Sequence, residues 1–153
     1  MEFNLLALVG AVGCCLVSIV IAGWAANKKE NKEWLENLKH PDKSFLLKYI
    51  KIVGIVFYLM FGYVLYQLID VGDVVSSFLT AAIVQLMGLC PFFLHKTRNL
   101  RLFFFVNLGF LILLPLLIFL VRENLVLAML VLAYFAFFLY DLSYWYRLMK
   151  LNE

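Results

Sequence analysis

Charge is scarce in this chain. Asp, Glu, Lys and Arg make up 15% of its 153 residues, where an ordinary soluble domain carries about a quarter. Histidine occurs twice and cysteine three times. Cys14, Cys15 and Cys90 all fall inside apolar stretches and have no framework spacing, which excludes a disulfide scaffold and a structural zinc site. They read instead as small, polarizable packing residues. No nucleophile–base pair and no phosphate-cradling glycine loop occurs, so the common hydrolase and nucleotide-binding signatures are missing. The apolar runs do not alternate with polar residues, which excludes membrane β-strands.

Apolar residues are what remain. They make up 65% of the chain, with a mean hydropathy of +0.95, and they group into five runs: Leu5–Ala26, Leu46–Ile69, Val74–Leu94, Leu100–Val121 and Leu125–Leu148. About 20 apolar residues let a helix cross the hydrocarbon core of a bilayer. There, every backbone N–H and C=O must be paired within the segment. The fold expected is therefore all-α, a polytopic five-transmembrane-helix bundle in a single domain over residues 1–153.

Twelve of the thirteen Lys and Arg residues lie in the first and third links, their flanks and the tail, and only Arg122 lies on the other side. The positive-inside rule then places the N-terminus outside and the C-terminus in the cytoplasm. The net charge of +3 reflects this topology, so no nucleic-acid partner is expected. The first run starts with Glu2 and is followed, not preceded, by basic residues, unlike a cleaved signal peptide.

The first link, about Asn27 to Ser44, is the only long one. Alternating charges from Lys28 to Lys39 suggest a short interfacial helix with Trp34, Leu35 and Leu38 on its apolar face, ended by Pro41. It is either a solvated connector or a lid over a membrane pocket. Small residues crowd the first span (Ala7, Gly10, Ala11, Gly13, Ser18, Ala22), and Ser77 and Ala81 lie four apart in the third. Such faces allow close helix packing, within the bundle or in a homodimer. Pro91 and Pro115 should each kink their helix.

Asp141 is the only acid or base deep inside a span. Such groups usually face a bundle interior or wet cavity, and it is a snorkelling acid, a pocket-lining group or a proton-transfer residue. Trp24, Tyr49 and Tyr146 suit an interfacial belt, whereas Tyr58, Tyr63 and Tyr66 lie within the second span and need partners or a polar ligand. Gln85 reads as an interhelical hydrogen-bonding residue. His40 and His95 read as surface groups of two links. Leu142, Tyr146 and Lys150 match the loose cholesterol-contact pattern.

The chain resembles the TspO/MBR family, the tryptophan-rich sensory proteins that include the mitochondrial translocator protein. Trp34-x3-Leu38-x-His40-Pro41 is similar to that family's W-x3-L-x-K-P segment. The stretch from Phe57 through Tyr58, Met60 and Gly62 to Tyr66 looks like its L-Y-x-x-M-G-x-x-x-Y. Gln85-Leu86 followed by Pro91-Phe92-Phe93 is similar to its Q-L…P-x-F-F, and Tyr134 with Asn152 to its P-Y…L-N ending. The chain departs from the pattern at Gly54 and Phe137, where the family has tryptophan, and at Ala133, where it has proline. Asp141 stands where the family has a small, uncharged residue, and the third span is about one turn short.

The resemblance implies a binding protein for tetrapyrroles (porphyrin or haem) or sterol-like lipids, acting in transport, sensing or buffering. It would require no cofactor, would form a homodimer among membrane lipids, and would sit in a prokaryotic cell membrane or the mitochondrial outer membrane. The ligand-lining residues implied are Trp34, Tyr58, Phe92, Phe137, Asp141 and Trp145. The family's light-dependent porphyrin breakdown depends on the tryptophans lacking here and is not expected. Two other readings stand beside it: a small intramembrane enzyme acting on a lipid or isoprenoid, and a structural subunit of a membrane complex.

Overall fold

The five apolar runs form helices in the computed structural model, which describes residues 4–41 and 45–153, without the side chains of 45–51. The basic residues Lys43, Lys48 and Lys51, and Tyr49 of the interfacial belt, lie outside the described side chains. Among the described residues seven helices follow in order: α1 (Leu5–Ala26), α2 (Lys29–Glu36), α3 (Phe45–Asp70), α4 (Val74–Thr97), α5 (Leu100–Asn107), α6 (Phe110–Leu120) and α7 (Leu125–Leu151). Among the described residues, five segments are long and apolar enough to cross a membrane, with α5 and α6 together making the fourth.

Four helices start on side-chain caps. Asn4, Asp73, Asn99 and Asn124 each accept a hydrogen bond from the backbone N–H three residues on, satisfying donors that a helix start otherwise leaves open. The hydroxyl and main-chain N–H of Ser76 hold the Asp73 carboxyl below the usual carboxylate range. At the other end of α4, Arg98 takes a left-handed conformation with φ of 51° and stops the helix.

The two interior prolines behave differently. α4 runs unbroken through Pro91, whereas the fourth span is interrupted at Leu108 and Gly109, six residues before Pro115. There the backbone switches to shorter i→i−3 bonds, Gly109 to Val106 and Leu111 to Leu108. Pro115 has no N–H to offer Leu111, and the turn upstream absorbs the mismatch.

α1 packs mainly on α4 and also on α3, α3 meets α4 and α7, and the fourth span bridges α4 and α7. The main core cluster includes Phe61, Val64, Ile83, Val84, Leu114, Leu117, Val131 and Tyr134, and a smaller one forms around Tyr144 and Leu148 of α7. Outward positions such as Leu6, Leu59 and Ile112 are apolar and exposed, as lipid contact requires. Small residues make the α1–α4 contact close: Ala7, Ala11, Ser18 and Gly88 are all buried. The small face of α1 is thus used within the bundle.

Candidate functional site

The polar groups of the interior form three local arrangements. The first joins α1, α3 and α4. The Ser18 hydroxyl donates to the Val84 carbonyl. Its one proton is thereby committed, so the Tyr58 phenol, 3.0 Å away, must be the donor to Ser18. Nearby, Gln85 Nε2 donates to the Cys14 carbonyl at 2.8 Å, the interhelical bond expected of it. In the second span Tyr58 is therefore satisfied by Ser18, while Tyr63 points outward and is exposed.

Membrane interhelical hydrogen bonds average about 0.6 kcal/mol. Tyr58→Phe should accordingly lower stability by roughly 0.5 kcal/mol, and Ser18→Ala, which breaks both bonds, by more. Unfolding midpoints in mild detergent measure the difference; the assignment fails if Tyr58→Phe costs more than Ser18→Ala.

The second arrangement runs along α7. Phe137, Asp141 and Trp145 recur every four residues and so share one face. The Trp145 indole N–H donates to Asp141 Oδ1 at 3.1 Å. Trp145 also packs edge-on against Phe103 of α5, with ring centres 4.6 Å apart. Phe137 lies 4.8 Å from Phe57, which in turn packs on Tyr134. Asp141 is only partly buried, and its hydrogen-bond partner is an indole, not a second acid or base.

The third arrangement is the first link itself. α2 is the short helix expected, but it ends at Glu36, earlier than Pro41 would require. The chain beyond it is held by α7 instead. Asn152 accepts from the Lys39 backbone N–H at 2.9 Å and donates to the Lys39 carbonyl at 2.9 Å and the Leu148 carbonyl at 2.8 Å. His40 Nε2 donates to the Leu35 carbonyl at 2.8 Å. In the neutral ring this leaves Nδ1 to accept from the Tyr144 phenol, 2.9 Å away. Leu38 packs on Tyr144 and Leu148, and Asn31, buried, donates to the Ala25 carbonyl at the end of α1. Arg101 and Lys150 both pair with Glu153 beside the clasp.

Trp34 faces inward from α2 and meets His95 edge-on, with ring centres 6.4 Å apart. This corrects the surface placement of both histidines. His95 is 9% exposed, in the last turn of α4. The helix continues three residues past the apolar run that ends at Leu94, and that extra turn carries His95 under Trp34. His40 is half-buried and bonded through both ring nitrogens.

The six residues expected to line a pocket do not come together in one group. Phe137, Asp141 and Trp145 share the α7 face, and Tyr58 occupies the α1–α3–α4 junction. Phe92 stacks on Trp24 at 6.0 Å, at the α1 edge of α4, one turn from His95. Trp34, Tyr58, Phe137 and Trp145 all pack against the same core cluster. Of the sterol-contact pattern, Leu142 packs on that core, Tyr146 is exposed against Phe104, and Lys150 is taken up by Glu153. Two grooves lie elsewhere. One, of about 440 Å³, follows Val20, Gly23, Trp24, Asn27 and Lys28. The other, of about 410 Å³, lies at the opposite end of the bundle beside Gly10, Leu65, Ser77, Phe78 and Ala81.

Comparison with known families settles the kinship. The TspO/MBR family model matches residues 11–150, nearly the whole chain. The chain belongs to the TspO/MBR family. No significant match was found among curated proteins or solved structures. Membership agrees with the multi-pass helical architecture and identifies a membrane protein of a family associated with tetrapyrroles and sterols.

Proposed function

We propose that this TspO/MBR protein binds flat amphiphiles, tetrapyrroles or sterol-like lipids, between its helices, in transport, sensing or buffering. The observation carrying the proposal is the interior wall of Phe57, Tyr58, Phe137 and Trp145, interrupted by the single carboxylate of Asp141 and covered at one end by a clasped link. Large apolar walls with few polar groups suit such ligands. Asp141 would pair with a pyrrole N–H or a cationic group. Proton transfer is less well supported, because it calls for a second titratable group within reach and the partner of Asp141 is Trp145.

In this reading the first link, the third link and the tail face the cytoplasm, where Lys28, Lys29, Lys32, Lys96 and Arg98 give the entrance a positive rim. A homodimer formed through the outward, exposed face of α1 around Gly10 belongs to this reading. Titration of the purified protein with protoporphyrin and with cholesterol, in detergent, tests the function. Asp141→Ala should weaken protoporphyrin binding about tenfold, the size of one charge-assisted hydrogen bond. Unchanged affinity removes Asp141 from the site, and no binding of either ligand removes the proposed function.

A further inference from the structure

The two grooves described above are alike in volume and opposite in charge. The one of about 410 Å³ has Asp73 as its charged lining residue and offers an anion nothing. The one of about 440 Å³ follows Val20, Gly23, Trp24, Asn27 and Lys28. From Val20 to Lys28 the chain rises about 12 Å, at about 1.5 Å per residue, against about 15 Å for half of a hydrocarbon core. This groove therefore runs from the water boundary down into a single leaflet. Val20 and Trp24 are exposed and make its deeper wall apolar, while Asn27 and Lys28 make its mouth polar.

The mouth is organised by the Trp24 ring. The Lys28 ammonium stands over that ring, 4.0 Å from its centre, a favourable place for a cation. Phe92 of α4 stacks on the same indole with ring centres 6.0 Å apart. Lys96 follows Phe92 by four residues, so it shares that face of α4 one turn nearer the water. Two lysines thus flank the aromatic pair, and neither makes an ion pair among the described residues. The nearby carboxylates are taken, Glu33 by Lys29 at 3.7 Å and Glu30 by Arg98 at 3.9 Å. The Asn27 amide lies over Gly23, where a Cβ would meet only its Nδ2, at 3.9 Å. Two free ammonium groups and an amide above an apolar channel are the donors a phosphate with a hydrocarbon tail requires.

We propose that this groove is a selective site for an anionic glycerophospholipid. One acyl chain lies along Val20, Gly23 and Trp24, and the phosphate is held between Lys28 and Lys96, with the Asn27 amide donating to it. Charge complementarity decides the occupant. Lysines at a membrane surface attract the anionic lipids of the cytoplasmic leaflet, whereas a zwitterionic headgroup brings its own ammonium against the two lysines. The site is on the lipid-facing side of α1, apart from the interior wall of Phe57, Tyr58, Phe137 and Trp145, and does not rest on the proposed function. α2 begins at Lys28, so a lipid held there anchors the start of the first link to the bilayer surface, as Asn152 holds its end.

The experiment places the purified full chain in phosphatidylcholine vesicles, with Trp34→Phe and Trp145→Phe leaving Trp24 as its one tryptophan. Phosphatidylglycerol with brominated chains is titrated in, and quenching of Trp24 fluorescence is compared with that by brominated phosphatidylcholine. Phosphatidylglycerol should be preferred roughly thirtyfold, from about fivefold for each lysine. Lys28→Gln and Lys96→Gln should each remove about fivefold, and Lys32→Gln, an exposed cation of α2 outside the groove, less than about twofold. Gly23→Leu should fill the groove and abolish the preference with an unchanged unfolding midpoint, because a Cβ there meets nothing closer than 3.9 Å. Should Gly23→Leu lower the midpoint, the exposed lysine variants decide alone. Equal losses in Lys28→Gln and Lys32→Gln would mean diffuse attraction to the surface and overturn the site. Equal quenching by the two lipids, or a preference that survives in well-folded Gly23→Leu, overturns it too. Millimolar inorganic phosphate should leave the quenching unchanged, and displacement of the lipid by it would make the ligand a free phosphate and overturn the lipid assignment. Porphyrin and sterol are absent throughout, so failure here leaves the proposed function standing.

Discussion

Gly88→Val should be among the most destabilising single substitutions in this protein. A Cβ at Gly88 would stand 2.9 Å from the Cα of Ser18 and closer still to the Ser18 carbonyl and hydroxyl oxygens. The obstacle is the backbone of a neighbouring helix, which cannot rotate out of the way as a side chain would. α1 and α4 must therefore separate along the most extensive helix contact of the bundle. Separation also breaks the bond from Ser18 to Val84, and with it the support for Tyr58. Overpacking typically costs 1–3 kcal/mol, and a backbone clash at this contact should cost roughly 3 kcal/mol. Gly13→Ala is the control, because a Cβ there meets nothing within 4 Å, and it should stay within about 0.5 kcal/mol of wild type. Thermal or SDS-induced unfolding in mild detergent compares them. Equal midpoints for Gly88→Val and wild type would mean that the α1–α4 contact is not as described.

Asn152→Ala should free the first link without unfolding the bundle. One side chain makes three hydrogen bonds here, two to the backbone of Lys39 and one to Leu148. Each is worth about 0.5–1.5 kcal/mol, and the Lys39 pair is exposed, so the lower part of that range applies. A total of about 2 kcal/mol corresponds to roughly thirtyfold faster exchange of the Lys39 amide hydrogen. Trypsin should also cut after Lys39 sooner. Asn152→Asp should fall between, since it keeps an acceptor for the Lys39 N–H and loses the donor to both carbonyls. Exchange at Lys39 as slow in Asn152→Ala as in wild type would show that Tyr144, His40 and Leu38 hold the link without it.

The spans were legible because hydropathy and length decide them. Leu5–Ala26 matches α1 residue for residue, and the other runs differ from their helices by a few residues at the ends. The interruption at Leu108 and Gly109 was less so. Proline marks a missing donor at Pro115, but which upstream turn yields depends on packing against α4 and α7. The site was legible only in part. Asp141, Trp145 and Phe137 announce themselves by spacing on one helix. Ser18 with Tyr58 and Asn152 with Lys39 join residues 40 and 113 positions apart, and no local pattern carries such pairs. His95 was misplaced for a simpler reason. Composition ends the third run at Leu94, but helical hydrogen bonding continues until Arg98 turns left-handed. A histidine in a last turn also gains from the helix dipole, a cue that the apolar count ignores.

The clasp on the first link has a bearing on how the protein is made. Chains are synthesised and inserted from the N-terminus, about 5–20 residues each second. Lys39 is therefore in place long before Asn152 exists. Through the insertion of three further spans the link has no partner on α7. Closure becomes possible only after the fifth span has entered the bilayer. Until then Lys39 has neither the acceptor nor the donor that Asn152 later provides. The link is thus a late element of assembly, fastened only once Asn152 has been made.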